Sequence, residues 1–120
     1  MNQESSLVKI LDPSVFESLR GYAKSGAFLK QVIEIFEQHG RVSLGELSAA
    51  AQLDDKESLK LIAHRLKGSC LNVGATLMAQ NLRHLEQLTT SNETLDETQR
   101  LVAGLPAMLE DTCKALKSLL

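Results

Sequence analysis

The feature that most constrains the fold is a run near the C-terminal end, where Leu95, Thr98, Val102, Leu105, Leu109, Thr112, Leu116 and Leu119 follow one another at alternating steps of three and four residues. Such steps keep side chains on one face of a 3.6-residue helix and would scatter them over both faces of a strand. The pattern predicts one long amphipathic helix. Pro106 falls inside it, removing a backbone donor and crowding the carbonyl four residues back, so a kink is expected near Val102 to Pro106.

The same spacing recurs upstream. Phe28, Leu29, Val32, Ile33 and Phe36 share a stripe that resumes in phase across Gly40 with Leu47, Ala50 and Ala51, which predicts one long helix rather than two. Asp54-Asp55 caps a third helix from about Lys56 to Val73, and Gly74 ends it. A fourth helix buries Leu77, Met78, Asn81 or Leu82, Leu85 and Leu88. Ahead of these, Asp12 is an N-cap and Pro13 occupies the first helical position, where its missing N–H is harmless. The short helix they start runs to about Tyr22 and buries Val15, Phe16 and Leu19.

With aromatic residues at only 3% of the chain, strand-forming segments are nearly absent. The expected fold is therefore all-α: an antiparallel four-helix bundle with a short additional N-terminal helix capping one end. Residues 1–11 are read as a partly ordered leader whose Leu7, Ile10 and Leu11 can pack on the rest, and residues 12–120 as a single domain.

Composition excludes several functions. A net charge of -2 gives no general attraction to nucleic acid or to anionic lipid. Lys60, Arg65 and Lys67 have no interleaved aromatics, so they do not read as a nucleic-acid patch. Cys70 and Cys113 lack metal-ligand spacing and are expected to be buried thiols. No apolar run is long enough to span a bilayer, and Met1-Asn2-Gln3-Glu4 lacks the basic and apolar regions of a signal peptide, so a cytoplasmic location is expected.

Chemistry concentrates in Ala63-His64-Arg65-Leu66-Lys67-Gly68-Ser69-Cys70-Leu71-Asn72-Val73-Gly74-Ala75. At about 100° per residue, Leu59, Ile62, Ala63, Leu66, Cys70 and Val73 fall within one arc, the buried stripe. His64 lies off that stripe, toward solvent. Lys60 and Lys67 flank it about one turn away on either side, and Gly68 stands beside it at i+4. A glycine within a helix costs about 1 kcal/mol relative to alanine, so its place next to an exposed imidazole suggests the close approach of another molecule. Leu61 and Leu71 give this face an apolar rim, the composition of a transient partner surface. A neutral imidazole is a competent nucleophile, and ammonium groups nearby stabilise the charge that develops on a transferring phosphoryl group.

His64-x-Leu66-Lys67-Gly68-Ser69, followed by Gly74-Ala75, resembles the signature of the histidine-phosphotransfer (HPt) domain family. The likeness extends upstream through Leu44, Leu47, Ala50 and Asp54, and downstream through Leu82, Leu85 and Glu86, covering roughly residues 12–120. The resemblance implies a phosphorelay intermediate in two-component signalling. In that reading His64 takes a phosphoryl group from the aspartate of one receiver domain and passes it to another, Lys67 neutralises the phosphate, Gly68 admits the partner, and Ser69 supports the helix or hydrogen-bonds nearby. Family members often carry a glutamine that hydrogen-bonds the imidazole, and the matching position here is Glu86. Its carboxylate would hold the ring N–H but also brings negative charge toward an incoming phosphate.

The implied partners are receiver domains of response regulators and hybrid sensor kinases, met through the face bearing Leu61, Leu71 and Lys60. Neither nucleic acid nor a membrane is implied. The chain is expected to be a monomer with no cofactor of its own, any Mg2+ residing in the partner receiver domain. Gly68 to Gly74 lies within a helix and is not followed by Gly-Lys-Ser or Gly-Lys-Thr, so no nucleotide loop is present and the chain is expected to be a carrier rather than a kinase. The alternative from another class is a non-catalytic bundle that sequesters a receiver domain through the same surface.

A lone histidine on a helix is usually a solvated side chain, and only the surrounding Lys67, Gly68, Ser69 and Gly74 raise His64 above that. His39 and His84 read as boundary residues at the edges of their stripes, which disfavours a three-histidine zinc site and leaves no metal expected. Ser69 projects from another face than His64, and no oxyanion hole is evident, against a hydrolase triad.

Overall fold

A computed structural model of the chain describes residues 10–22, 26–91 and 95–120. Five helices run in order through these residues: α1 Pro13–Tyr22, α2 Gly26–Gln52, α3 Lys56–Val73, α4 Thr76–Thr90 and α5 Leu95–Ser118. Among the described residues there is no strand, so the fold is all-α. Residues 1–9 of the expected leader, Leu7 among them, lie outside the described residues. Leu11 is fully buried, and Ile10 packs against the core.

Local chemistry sets the helix ends. The Asp12 Oδ1 accepts the Ser14 N–H at 3.0 Å, which caps α1 behind Pro13. Asp54 turns the chain after α2 with a positive φ of 50°, a conformation aspartate tolerates better than most residues. Asp55 then accepts the Ser58 N–H at 3.1 Å on one oxygen and the Ser58 hydroxyl at 2.7 Å on the other, capping α3. Hydrogen bonding lowers the Asp55 carboxyl from its ordinary value, with the Ser58 hydroxyl contributing most and its N–H next.

Gly74 has several duties at once. It ends α3 in the left-handed region with φ 76°, its N–H directed at the Cys70 and Leu71 carbonyls. The Ala75 N–H reaches back to the Cys70 carbonyl at 2.8 Å, and α4 begins at the next residue. The Asp12 N–H donates to the Gly74 carbonyl at 2.7 Å, so the segment ahead of α1 is seated on this turn. A Cβ at Gly74 would lie 2.7 Å from the Asp12 carbonyl oxygen, and only glycine satisfies both the φ and the seat.

The stripes predicted from spacing form the core. All of Leu59, Ile62, Ala63, Leu66, Cys70 and Val73 are buried on α3, as are Thr98, Val102, Leu105, Leu109, Thr112 and Leu116 on α5. On α4 the ambiguity at Asn81 and Leu82 resolves in favour of Leu82, which is fully buried. Helix α2 is continuous through Gly40, and α5 continues through Pro106. Gly40 lets α2 approach α5 closely, since a Cβ there would come within 2.9 Å of both Leu109 methyl groups.

Two stripe residues are exposed, and Val15 of α1 and Leu77 of α4, also expected to be buried, are only half-buried. Phe28 remains exposed, because Leu29, Ile33 and Phe36 already fill the inward face and Phe28 is rotated about 100° from Leu29. Leu95, the first residue of α5, stays at the surface as well. His39 and His84 are exposed rather than at a boundary.

Helix α3 packs against α2 on one side and α4 on the other, and α5 closes against both α2 and α4. Helix α1 touches α3 and lies at the end where α3 and α5 finish. Its Asp12 flank bonds Gly74, and the Arg20 guanidinium donates to the Leu119 carbonyl. His64 is thereby held in the middle of α3, away from that covered end.

Candidate functional site

His64 stands off the buried stripe of α3 with 71% of its side chain exposed. Its Nδ1 lies 3.1 Å from Oε2 of Glu86, on the neighbouring α4. The other oxygen of the same carboxylate, Oε1, meets the Lys67 ammonium at 2.7 Å. Glu86 is far less exposed than His64, at 16% of its side chain, so one half-buried carboxylate joins the imidazole and the cation across the α3–α4 seam.

Electrostatics keep that carboxylate ionised. Burial pushes the Glu86 carboxyl up, but Lys67 first and His64 second outweigh it, and the net position is below the ordinary carboxylate value. An ionised carboxylate only accepts hydrogen bonds, so the Nδ1 atom beside it must be the ring nitrogen that carries hydrogen. The remaining nitrogen, Nε2, is then the one with a free electron pair.

The space around the ring follows from the residues at its flanks. A Cβ built on Gly68 would meet nothing within 4 Å, so the i+4 position beside His64 is open. Leu61 is 64% exposed and Leu71 53%, leaving two large apolar side chains on the surface of this helix. Lys60 is exposed one turn before His64. Arg65 leans the other way, reaching Glu46 of α2 at 4.0 Å. Ser69 is half-buried at a shallow groove between α2 and α3, with Phe36, His39 and Asn72, and makes no side-chain hydrogen bond to the described residues. A groove of about 490 Å³ is lined by α2 and α5 residues such as Glu37, Arg41 and Pro106, and His64 takes no part in it.

The structure thus brings His64, Lys67 and Glu86 together, places Gly68, Leu61 and Leu71 around them, and leaves Ser69 apart. What the residue-by-residue reading missed is that Lys67 is bound to Glu86. A signal for the contact between the two helices was present: His64 lies ten residues before Gly74 and Glu86 eleven after Ala75. Residues nearly equidistant from a two-residue turn between antiparallel helices sit at nearly the same height, since one residue of difference is a rise of only about 1.5 Å.

Elsewhere the titratable groups look structural. The Cys70 thiol is pushed up to about 12 by burial and then by Cys113. That of Cys113 is pushed up to about 11 by burial and then by Glu37, so neither is a nucleophile at neutral pH. Among the described residues no cluster of histidine, cysteine and acidic side chains could hold a metal ion, and no helix is long and apolar enough to cross a membrane.

Residues 31–115, well over half of the chain, match the family model of the Hpt domain. The chain is also similar to the sensor protein TorS of Escherichia coli strain K12, at 37% identity over 76 residues; the match covers 62% of this chain and 8% of that protein. No solved structure gives a significant match. The matched residues enclose His64, Lys67, Gly68 and Glu86 together with the turn at Gly74, and the chain belongs to the Hpt domain family, whose members serve as phosphotransfer carriers in two-component relays.

Proposed function

We propose that residues 12–120 form an antiparallel four-helix bundle, capped by α1, that carries a phosphoryl group on His64 between the aspartates of receiver domains. The observation that supports this most is the imidazole itself: exposed, held at Nδ1 by a carboxylate, and flanked by an open glycine position. The Nε2 electron pair attacks phosphorus of an aspartyl phosphate, the P–O bond breaks, and its electrons return to the aspartate as a carboxylate. The reverse step delivers the group to a second aspartate. The chain acts as a carrier without kinase activity of its own, and Mg2+ belongs to the receiver domain.

Leu61, Leu71 and Lys60 form the contact face, and Gly68 leaves room for a rigid approach. Lys67 reaches a phosphoryl group on His64 only by sharing or leaving Glu86, since its ammonium is engaged there beforehand. Ser69 serves the α2–α3 packing rather than the ring. The partners are response regulators and hybrid sensor kinases, met in the cytoplasm by a monomer.

The test is to incubate the chain with a phosphorylated receiver domain and measure acid-labile, base-stable label on the wild type and on His64→Gln. Label on the wild type alone is the expected result. Equal labelling of both removes His64 from the mechanism, and stable binding without label on either favours a module that only sequesters the receiver.

A further inference from the structure

Resting on the assignment of His64 as the phosphorylated residue, the geometry points to a role for the carboxylate at position 86: Glu86 keeps a proton on Nδ1 of the phosphorylated ring and so makes the phosphoryl group short-lived. The chain is built for rapid passage of the group and not for storing it.

The argument begins with what each side chain can offer a ring nitrogen. Once Nε2 bonds phosphorus, Nδ1 is either bare, with an outward electron pair, or protonated. A carboxylate has acceptor oxygens only, so a bare Nδ1 would face Oε2 electron pair to electron pair at 3.1 Å. A protonated Nδ1 instead donates to it. An amide in the same place serves both states, because it can present its oxygen to N–H or turn its NH2 toward the bare nitrogen. Glutamate at this position is selective where an amide is neutral.

Lys67 strengthens the selection. It occupies Oε1 at 2.7 Å, so the carboxylate stays ionised and does not itself carry the proton. The other charged groups around the ring are placed less directly. Lys60 lies one turn earlier on α3 and Arg83 one turn before Glu86 on α4, both exposed, while Glu46 of α2 is taken up by Arg65. Among the described residues, only Glu86 is within hydrogen-bond distance of the His64 ring.

The proton decides how the group leaves. When the N–P bond breaks with Nδ1 protonated, its electron pair stays on Nε2 and the ring departs as neutral imidazole, with the phosphoryl group passing to a carboxylate or to water. With Nδ1 bare the ring departs as an imidazolate anion, a far poorer leaving group. The high exposure of His64 leaves water free to attack, so lability shows as hydrolysis even without a partner.

That permits a test independent of any receiver. The full chain, with His39 and His84 replaced by glutamine so that His64 alone reports, is phosphorylated chemically with phosphoramidate. The wild-type Glu86, Glu86→Gln and Glu86→Gln/Lys67→Met forms are then compared by phosphate release and by 15N spectra of the ring. At pH 8 the Glu86 form should show a protonated Nδ1 and release phosphate at least about tenfold faster than either variant, the effect of an opposite charge on a neighbouring site. Near pH 5.5 the three rates should converge, because acid protonates every ring.

A bare Nδ1 at pH 8 with Glu86 present, equal lifetimes across the series, or failure of so exposed a ring to take the label would overturn the proposal. Recovery of the short lifetime in the double variant would overturn it too, by assigning the effect to released Lys67. A chain that behaves as expected here but accepts no label from any receiver would leave this chemistry standing and the relay reading refuted.

Discussion

Among the described residues, two glutamates at helix seams each hold two basic side chains, and they are alike up to the identity of those partners. Glu37 of α2 is held by Lys117 of α5 at 3.4 Å on one oxygen and by Arg41, one turn along its own helix, at 3.4 Å on the other. Glu86 of α4 is held by Lys67 of α3 at 2.7 Å and by His64 at 3.1 Å. Burial pushes both carboxyls up, and in both the basic partners win, Lys117 ahead of Arg41 in the first and Lys67 ahead of His64 in the second.

The difference lies in what the partners can do. Lys117 and Arg41 present an ammonium and a guanidinium, which donate hydrogen bonds and have no free electron pair to offer. At the α3–α4 seam one partner is an imidazole, whose second nitrogen is left exposed and nucleophilic by the bond that its first nitrogen makes. The same clasp is structural where it joins two cations and poised for chemistry where it joins a cation and a ring.

The sharpest break of this comparison is His64→Gln. Transfer from a phosphorylated receiver should vanish, while the thermal midpoint stays within the range expected of an exposed substitution, about 0.5 kcal/mol in stability. A large loss of stability would mean that the ring is a packing element, and the two seams would then differ in degree only.

Next in size are the two residues beside the ring. Lys67→Ala should slow transfer by roughly a hundredfold to a thousandfold, as loss of one charge-stabilising donor does, with receiver binding kept. Gly68→Gln should lower binding and transfer together by filling the open i+4 position. Titration calorimetry for binding and single-turnover transfer for chemistry separate the two. If Gly68→Gln bound and transferred normally, the opening beside His64 would have no bearing on partner approach.

A fourth substitution acts on both seams equally. Gly74→Ala places a side chain at φ 76° and against the Asp12 carbonyl, so it should destabilise the whole domain by about 2 kcal/mol or more, measured by urea unfolding. Chemical labelling of His64 in the molecules that remain folded should be unchanged.

These positions also show how far the sequence carried. Every residue assigned to the α3 stripe is buried and His64 is outside it, because helical period is a property of spacing alone. Gly74 was readable as a helix terminator, yet its second duty as the seat for Asp12 was not, since that bond joins residues 62 positions apart whose meeting depends on the whole fold. The Lys67–Glu86 pair escaped for a similar reason: spacing tells which face a lysine is on, not which carboxylate of a neighbouring helix it will meet. Phe28 and Leu95 continue the apolar pattern beyond what the core has room to cover.

The smallest expected effect belongs to Glu37→Gln, and its smallness is what gives the comparison content. Its partners are largely exposed and its contacts long, so the lost stability should be about 0.2–1 kcal/mol. Because the folded carboxyl lies below its ordinary value, this contribution is fully present above the unfolded pKa and disappears as pH falls through the folded one. Urea unfolding of wild type and variant should therefore differ at pH 7 and converge near about pH 2. At pH 7, transfer through His64 should be untouched. If Glu37→Gln slowed transfer as much as Glu86→Gln alters the lifetime of the phosphorylated ring, the α2–α5 seam would be coupled to the reacting centre, and the distinction between a structural clasp and a chemical one would fail.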